Sequence, residues 1–451
     1  MNSSSMSLVG ARKVFFETFG CQMNVLDSEL MIGALQVAGY ETTTHLDDAD
    51  LIVYNTCSVR LQAEHKVMSR LGQIRSLKAA RPDLVIAVVG CMAQKDGAAL
   101  KKSAPHVDLV VGPGEIDHLP SLVRRVETRS DESLVATEFR PVQFQRDVTL
   151  RPSRYQAYVS VIRGCDVYCT FCIVPYTRGR EVSRRPEQIT EEVRRLAEDG
   201  CREVTLLGQT VDHYGKEFRR EGVHLGTLLE SVSGIDGIER VRFVTSHPKY
   251  LSDDILRSVG DIEEVCEYLH IPVQSGSDRV LSSMRRRYDT GQYLERVNRA
   301  RELVANVRIA SDFIVGFPGE TEEDFLKTAD LMEEVGFSQA FIFKYSPRPG
   351  TPAADMEDDV PLEEKKRRNQ HLLKLQDRFQ INRNESMRGE VVEVLVEGVS
   401  RRDPAKWTGR TRGNEIVVFD RVEKNSSIEG SRVQLRIVDS TALTLFGEVL
   451  C

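Results

Sequence analysis

The chain has 451 residues, 41% of them hydrophobic and 29% charged, an ordinary globular balance with length for about two to three cores. A net charge of −7 excludes a protein that grips nucleic acid with its whole surface, so any such contact must be local. No apolar run is long enough to span a bilayer, which argues against membrane attachment.

The Ser-rich stretch Met1–Gly10 has neither a basic region nor an apolar core, and it reads as a disordered start to a cytoplasmic protein. Nine cysteines in such a chain favour metal or catalytic use over disulfides.

From Lys13 to Val111 one arrangement recurs three times. Val14-Phe15-Phe16 leads to Gly20-Cys21, Leu51-Ile52-Val53-Tyr54 to Asn55-Thr56-Cys57, and Val85 to Val89 to Gly90-Cys91. Helical patterns over Ser28–Ala38 and Ala63–Ala80 lie between these runs, so they predict parallel strands with helical crossovers. Ligands of such sheets gather beyond the carboxyl ends of the strands, where Cys21, Cys57 and Cys91 all fall. Three small buried thiols are the plain alternative. Their common place in a repeated unit favours one shared three-cysteine site.

After a linker the middle of the chain alternates strand and helix again. Six strands are predicted, at Tyr158–Ile162, Glu203–Leu207, Val241–Val244, Tyr268–Val273, Ile309–Val315 and Ala340–Tyr345. Helices over Glu187–Glu198, Leu225–Ser233, Tyr293–Ala305 and Glu322–Val335 complete βα units that close part of a barrel, with its site at the carboxyl face. Beyond the first strand Cys165, Cys169 and Cys172 crowd into one loop. An iron-sulfur cube is held by thiolates in such runs, and three ligands leave one of its four irons free. Zinc and a structural disulfide are the alternatives, but zinc commonly pairs one Cys-x-x-Cys with another, and Cys201 and Cys266 stand alone. His247, which precedes Pro248, reads as a loop residue more than as a base.

Short alternating strands follow at Val391–Val396, Glu415–Phe419, Val433–Ile437 and Thr444–Val449, the pattern of a small barrel such as the oligonucleotide-binding type. Between the first two, Arg401, Arg402, Lys406, Arg410 and Arg412 surround Trp407. Cations track phosphates and an aromatic ring stacks on an unpaired base, so this run is the candidate RNA contact; an exposed basic loop with the tryptophan folded inward is the alternative. Two other basic clusters, Arg285-Arg286-Arg287-Tyr288 and Lys365-Lys366-Arg367-Arg368, read as solvated faces or further local contacts, the second preferably as a helix face.

These motifs carry a resemblance. Cys165-x-x-x-Cys169-x-Phe171-Cys172 resembles the signature of the radical S-adenosylmethionine (SAM) enzymes, which implies a SAM molecule chelated by the open iron and cleaved to a 5′-deoxyadenosyl radical. Gly20-Cys21-Gln22-Met23-Asn24, Asn55-Thr56-Cys57-Ser58-Val59-Arg60 and Gly90-Cys91-Met92-Ala93 resemble the cluster domain of the methylthiotransferases, a radical SAM subgroup. The resemblance implies a [4Fe-4S] cluster on each three-cysteine set. It also implies a SAM site near Phe171, Gln209, Gln274, Ser275, Gly316 and Glu320, and an RNA-binding TRAM domain at the carboxyl end.

The implied layout is a disordered start (1–10), a parallel α/β cluster domain (11–127), a linker (128–150), a partial (β/α)6 radical SAM core (151–383) and an all-β TRAM barrel (384–451). Within the subgroup, Gly20–Asn24 matches the enzymes of isopentenylated tRNA adenosine better than those of threonylcarbamoyladenosine or of a ribosomal-protein aspartate. The implied partners are tRNA, an electron donor and a sulfur source, the last two unidentified, and the working expectation is a monomer. A non-catalytic RNA-binding protein with structural zinc is the competing class; two separate sets that leave a position open favour the enzyme.

Overall fold

The computed structural model describes residues 12–58, 61–128, 133–140, 151, 153–421 and 427–450, with the side chains of Leu61 and Gln62 excepted. The expected disordered start, Val59-Arg60 and residues 141–150 of the linker lie outside the described residues. Two compact units emerge, one of Met1–Leu150 with Ile173–Arg180, the other of Arg151–Cys172 with Glu181–Cys451.

The first unit is a parallel sheet. Its elements are β1 (Arg12–Thr18), α1 (Gln22–Val37), β2 (Tyr40–Thr43), β3 (Leu51–Thr56), α2 (Leu61–Ala80), β4 (Val85–Gly90), α3 (Cys91–Ser103), β5 (Leu109–Val111), α4 (Leu119–Thr128) and β6 (Leu134–Ala136). The strand order is β2-β1-β3-β4-β5-β6, with every pair parallel. Strands β3 and β4 are buried at every residue, which is why they read as unbroken apolar runs. The sixth strand comes from within the stretch assigned to the linker: Leu134–Ala136 pairs with Leu109–Val111 and supplies the sheet edge. Its three residues are too few to show a period.

The chain leaves β1 to one side, for β2, and returns on the other, for β3, so the order reverses between β1 and β3. Such a reversal opens a crevice at the carboxyl ends of the two strands. A short helix, α5 (Val174–Arg178), also belongs to this unit and packs against α3.

In the second unit all six predicted strands form, at Gln156–Ser160, Glu203–Leu207, Arg240–Phe243, Tyr268–His270, Arg308–Val315 and Gln339–Lys344. They make two parallel three-stranded sheets, linked by a parallel bridge between Val241 and Val265 and by a hydrogen bond from Ser246 N to His270 O (3.0 Å). The result is an open, partial barrel whose strands follow one another in chain order.

Residues 391–449 close a five-stranded barrel in the order Val391–Val399, Lys406–Thr411, Ile416–Asp420, Leu445–Val449, Arg432–Ser440. Four of these strands were predicted. The fifth, Lys406–Thr411, is the basic run itself: Trp407, Gly409 and Thr411 point inward while Lys406, Thr408 and Arg410 stay partly exposed. Charges on the outer positions hide this alternation from a reading by composition.

Two buried arginines tie this barrel to the strands of the same unit. Arg240 donates to Arg410 O (2.8 Å) and to the Glu393 carboxylate (2.8 Å), while Arg242 donates to Thr411 O (2.7 Å), Arg412 O (2.8 Å) and the buried Glu203 carboxylate (3.0 Å). Burial works against the charge on Glu203, but Arg242 and Arg240 outweigh it and hold its pKa below the ordinary value.

Replacing Arg242 with Met leaves the Glu203 charge with Arg240 at 3.8 Å as its remaining cation and should cost about 3 kcal/mol at pH 7. A lowered pKa stabilises the parent above the unfolded value near 4 and loses that contribution as pH falls, whereas the variant is relieved when Glu203 protonates, so the difference should narrow towards acid pH. Urea unfolding at pH 7 and 4.5 checks both; equal stability at pH 7 would remove the clamp from the account.

Candidate metal centres

Each three-cysteine set sits where the chain leaves a parallel strand. In the first unit Cys21 caps the amino end of α1 after β1, Cys57 follows β3, and Cys91 opens α3 after β4. Two glycines make the approach possible. Gly20 and Gly90 have φ of +147° and +94°, and a Cβ on Gly90 would lie 2.5 Å from Asn55 Oδ1 and 2.6 Å from Thr56 O. A Cβ on Gly20 would lie 2.7 Å from Cys57 Cβ.

A buried amide lattice holds the strand ends together. Asn24 Nδ2 donates to Asn55 Oδ1 and to Thr56 O, each at 3.1 Å, and Asn55 Nδ2 donates back to Asn24 O at 2.8 Å. Cys21 Sγ donates to Asn24 Oδ1 (3.3 Å). A hydrogen bond with Cys57 and the charge of Arg178 bring Cys21 down to about 5 against the opposing effect of burial, whereas burial pushes Cys91 up. The set is therefore one coupled group of thiols beside a cation, an environment that favours soft anionic ligands.

In the second unit Cys165 and Cys169 are buried and Cys172 is half-buried. The loop is pinned by backbone and side chain: Thr170 N donates to Met284 O (3.0 Å), Thr170 Oγ1 to Ser283 O (2.9 Å) and Cys172 N to Cys169 O (3.0 Å). Cys165 Sγ lies 3.5 Å from Thr210 Oγ1, and burial raises its pKa.

The sequence reading missed the partner of Cys169. Arg286 belongs to a cluster read as a basic face, but it turns inward. Its Nη1 donates to Cys169 Sγ (3.3 Å), its Nε to Tyr288 OH (2.9 Å) and its Nη2 to Pro272 O (2.8 Å). Left-handed backbone at Arg285 and Arg287 (φ 56° and 60°) brackets it. Three consecutive arginines look alike in sequence, and only this backbone separates them.

Near Arg286 lie two buried polar residues, Asp212 and His247. Burial raises Asp212 well above the carboxylate range, and its Oδ2 accepts from His247 N (2.7 Å). Burial and the Arg286 charge lower His247 to about 2, so it is neutral and no base near neutrality. Its Nδ1 accepts from Lys249 N (3.3 Å), which places the ring proton on Nε2.

The residues expected around SAM divide. Gln209 sits beside the cysteine loop and accepts from Gly164 N (2.6 Å), while Phe171 packs against an apolar cluster containing Met284, Phe317 and Tyr345. Gln274 adopts φ +80° and pairs with the strand of Phe313.

Ser275 and Glu320 are held by their own loops. Ser275 is fully buried, with its hydroxyl beside Thr328 Oγ1 (3.3 Å) and accepting from Ser277 N, and so shapes its loop. Glu320 accepts from Gly316 N and from Arg368 Nη1 (2.8 Å), bracing the Gly316–Glu320 turn. The cluster Lys365–Arg368 is accordingly only half solvated, because Lys365 and Arg368 are buried on Asp358 and Glu320.

The residues expected at RNA divide as well. Trp407 is 3% exposed and lies in the barrel core with Val394, Phe419 and Leu435, so it has no free face for a base. Arg412 is clamped on Glu267 (2.7 Å) and Val265 O (2.7 Å), and Arg410 on Glu397 (3.0 Å). Arg401 and Arg402 are exposed, and Lys406 is partly exposed with a loose contact to Asp420 (3.4 Å).

Among the described residues no three of His, Cys, Asp and Glu converge tightly enough for a single metal ion. A cube distributes its thiolates over separate irons and asks for a wider spacing. Three thiols with guanidinium and hydroxyl neighbours fit such a cluster in the second unit, and three thiols with a buried guanidinium fit one in the first.

Comparisons with known proteins match three stretches of the chain. Residues 13–112 match the group described as Uncharacterized protein family UPF0004, residues 159–332 the Radical SAM superfamily, and residues 385–450 the TRAM domain. A tRNA-2-methylthio-N(6)-dimethylallyladenosine synthase of Moorella thermoacetica is 44% identical over 98% of this chain and its own whole length. That of Clostridium botulinum is 42% identical over 99% of both chains. The chain belongs to this synthase family.

Among solved structures, the radical S-adenosylmethionine methyltransferase TsrM of Kitasatospora setae, with cobalamin and a [4Fe-4S] cluster bound, has a TM-score of 0.57 at 15% identity over 76% of this chain and 77% of its own, a likeness of fold alone. The family membership agrees with the α/β, partial-barrel and small-barrel architecture read from the sequence.

The close approach at Gly90 gives a test. Gly90→Ala combines positive φ with backbone and amide contacts too short for a methyl group, and should cost about 1–3 kcal/mol and loosen the amide lattice. Thermal unfolding measures it; an unshifted transition would mean that the strand end yields without cost.

Proposed function

We propose that the chain is a radical SAM methylthiotransferase that adds a methylthio group to carbon 2 of isopentenylated adenosine beside the anticodon of tRNA. The observation that carries this is identity of 42–44% to synthases of that reaction over nearly the whole of both chains, joined to two separate three-cysteine sets at strand ends. The ribosomal-protein and threonylcarbamoyladenosine readings have no comparable support.

SAM and an iron-sulfur cluster follow from the family. We assign the SAM-binding cluster to Cys165, Cys169 and Cys172, and a second cluster, which carries the sulfur, to Cys21, Cys57 and Cys91. A cluster with SAM bound supplies the electron that opens the sulfonium and so the radical chemistry of the reaction. The chain's own residues supply the rest. Arg286 balances charge at Cys169, Thr210 shares a hydrogen bond with Cys165, and the neutral His247 offers a polar contact without taking a proton. Gln209, Gln274 and Gly316 stand at the carboxyl ends of the strands, where SAM would lie.

We assign tRNA binding in part to the small barrel, through Arg401, Arg402 and Lys406. No helix among the described residues is long and apolar enough to cross a membrane, which is compatible with a cytoplasmic place of work. We place the functional division at the expected boundaries 150 and 383, and count Leu134–Ala136 with the first region because it completes that sheet.

Alanine at any of Cys165, Cys169 or Cys172 should abolish release of 5′-deoxyadenosine. Replacing Cys21, Cys57 and Cys91 together should roughly halve bound iron, leave SAM cleavage measurable and remove methylthiolation. Parental cleavage in a single variant, or unchanged iron in the triple one, overturns the corresponding assignment. Modified nucleosides from cells with and without the protein, compared by mass spectrometry, decide the substrate.

For the RNA surface, alanine at Arg401, Arg402 and Lys406 should weaken tRNA binding and flatten its log-log salt dependence by about 0.7–0.9 per lost phosphate contact. Trp407→Ala instead empties a core position and should cost about 3–5 kcal/mol of barrel stability. Superimposable salt plots for parent and triple variant would move the RNA contact elsewhere.

A further inference from the structure

Inside the first unit one buried cation is not accounted for by the fold. Arg178, the last residue of α5, donates through Nη2 to Asp27 Oδ2 (2.8 Å), with side chains only 4% and 1% exposed. Its other terminal nitrogen, Nη1, is buried and has no hydrogen-bond partner. The guanidinium also shares a hydrogen bond with the Cys91 thiol and lies beside that of Cys21. Ser58, directly after Cys57, also has a buried hydroxyl without a partner.

Arg286, by contrast, places both terminal nitrogens, on Cys169 and on Pro272 O. The amide donors of the pocket are already engaged, with Asn24 Nδ2 on Asn55 and Thr56 and Asn55 Nδ2 on Asn24 and Ser28. Arg178 Nη1 is thus a fixed donor left over beside the Cys91 and Cys21 thiols. Asp27 holds the guanidinium in place and leaves that donor pointing. A buried donor without a partner is unfavourable unless something else accepts from it, and a charged donor favours an anionic acceptor over a neutral one.

We propose that Arg178 is a positioning residue for an anionic sulfur ligand, hydrosulfide or methanethiolate, held at the iron that Cys21, Cys57 and Cys91 leave free, with Nη1 donating to that sulfur. This rests on the reading of these cysteines as ligands of a second cluster. Arginine is always protonated and presents a planar fork, so one arm anchored on Asp27 fixes the direction of the other. Arg178 selects a charged sulfur species against a neutral thiol or thioether.

The test uses the full-length chain carrying Cys165→Ala, Cys169→Ala and Cys172→Ala, so that only the second set can hold iron. This protein and its Arg178→Gln and Arg178→Lys derivatives are reconstituted anaerobically, assayed for iron and sulfide, reduced and titrated with hydrosulfide and with methanethiolate, followed by the electron paramagnetic resonance spectrum. Equal iron in all three, half-saturation shifted at least about tenfold upward in Arg178→Gln, and partial recovery in Arg178→Lys are the expected results.

Unchanged half-saturation in Arg178→Gln overturns the proposal. Iron lost from Arg178→Gln, with or without loss from Arg178→Lys, assigns the arginine to holding the cluster and also overturns it. No iron in the starting variant removes the second cluster and with it the proposal, a failure that the iron assay tells apart from the others.

Discussion

Three thiols buried together form an anion when they bind a cluster, and a buried anion is tolerated only beside compensating charge. In each unit a guanidinium stands beside the three-cysteine set. Arg286 lies on Cys169 in the second unit, and Arg178 lies near Cys91 and Cys21 in the first. The two differ in what else they hold. Arg286 spends its remaining donors on Tyr288 and Pro272 O, so its whole fork serves the loop, whereas Arg178 leans on a carboxylate and keeps one donor back. One cation neutralises and the other has capacity to select.

The backbone explains why cysteines far apart in sequence can meet. Parallel strands end on one side of a sheet, and helices leave from there, so a residue placed just after each strand arrives at a common edge. In the first unit the reversal of strand order between β1 and β3 opens the crevice that Cys21 and Cys57 flank, and Cys91 enters from the next strand. The second unit concentrates its three cysteines in one loop after the first strand of the partial barrel and brings Thr210 and Arg286 to them from later loops. One site is thus gathered by topology and the other is built into a single turn. That difference made the second easy to see in the sequence and the first dependent on recognising a repeat.

Much of the architecture was legible because its signals are periodic. All six strands of the partial barrel and four of the five in the small barrel were predicted from apolar runs and turn residues. What escaped was set by contacts that no local pattern encodes. Leu134–Ala136 has too few residues to show a period, and it is a strand because the edge of β5 is open to it. Lys406–Thr411 alternates correctly, but Arg and Lys on its outer positions masked a core tryptophan as an RNA contact. Arg286 differs from its neighbours only in backbone handedness, and Ser275 and Glu320 lie in the right loops while facing inward. Sequence placed the loops correctly; packing decided which of their atoms remain available.

The fate of the basic residues in the small barrel follows from the same rule. Arg410 and Arg412 belong to the strand whose carbonyls receive Arg240 and Arg242, so the barrel is bound to the partial barrel through the very segment that composition marks as nucleic-acid binding. Their own side chains go to Glu397 and Glu267, which leaves their charges locally neutralised. Arg401 and Arg402 precede the strand, stand exposed, and have no ion pair among the described residues. A phosphate competes poorly with a carboxylate already held at 2.7 Å but meets no such rival at an exposed arginine. The cations that dock the barrel and those free for RNA are therefore different residues, separated by a few positions along one stretch of chain.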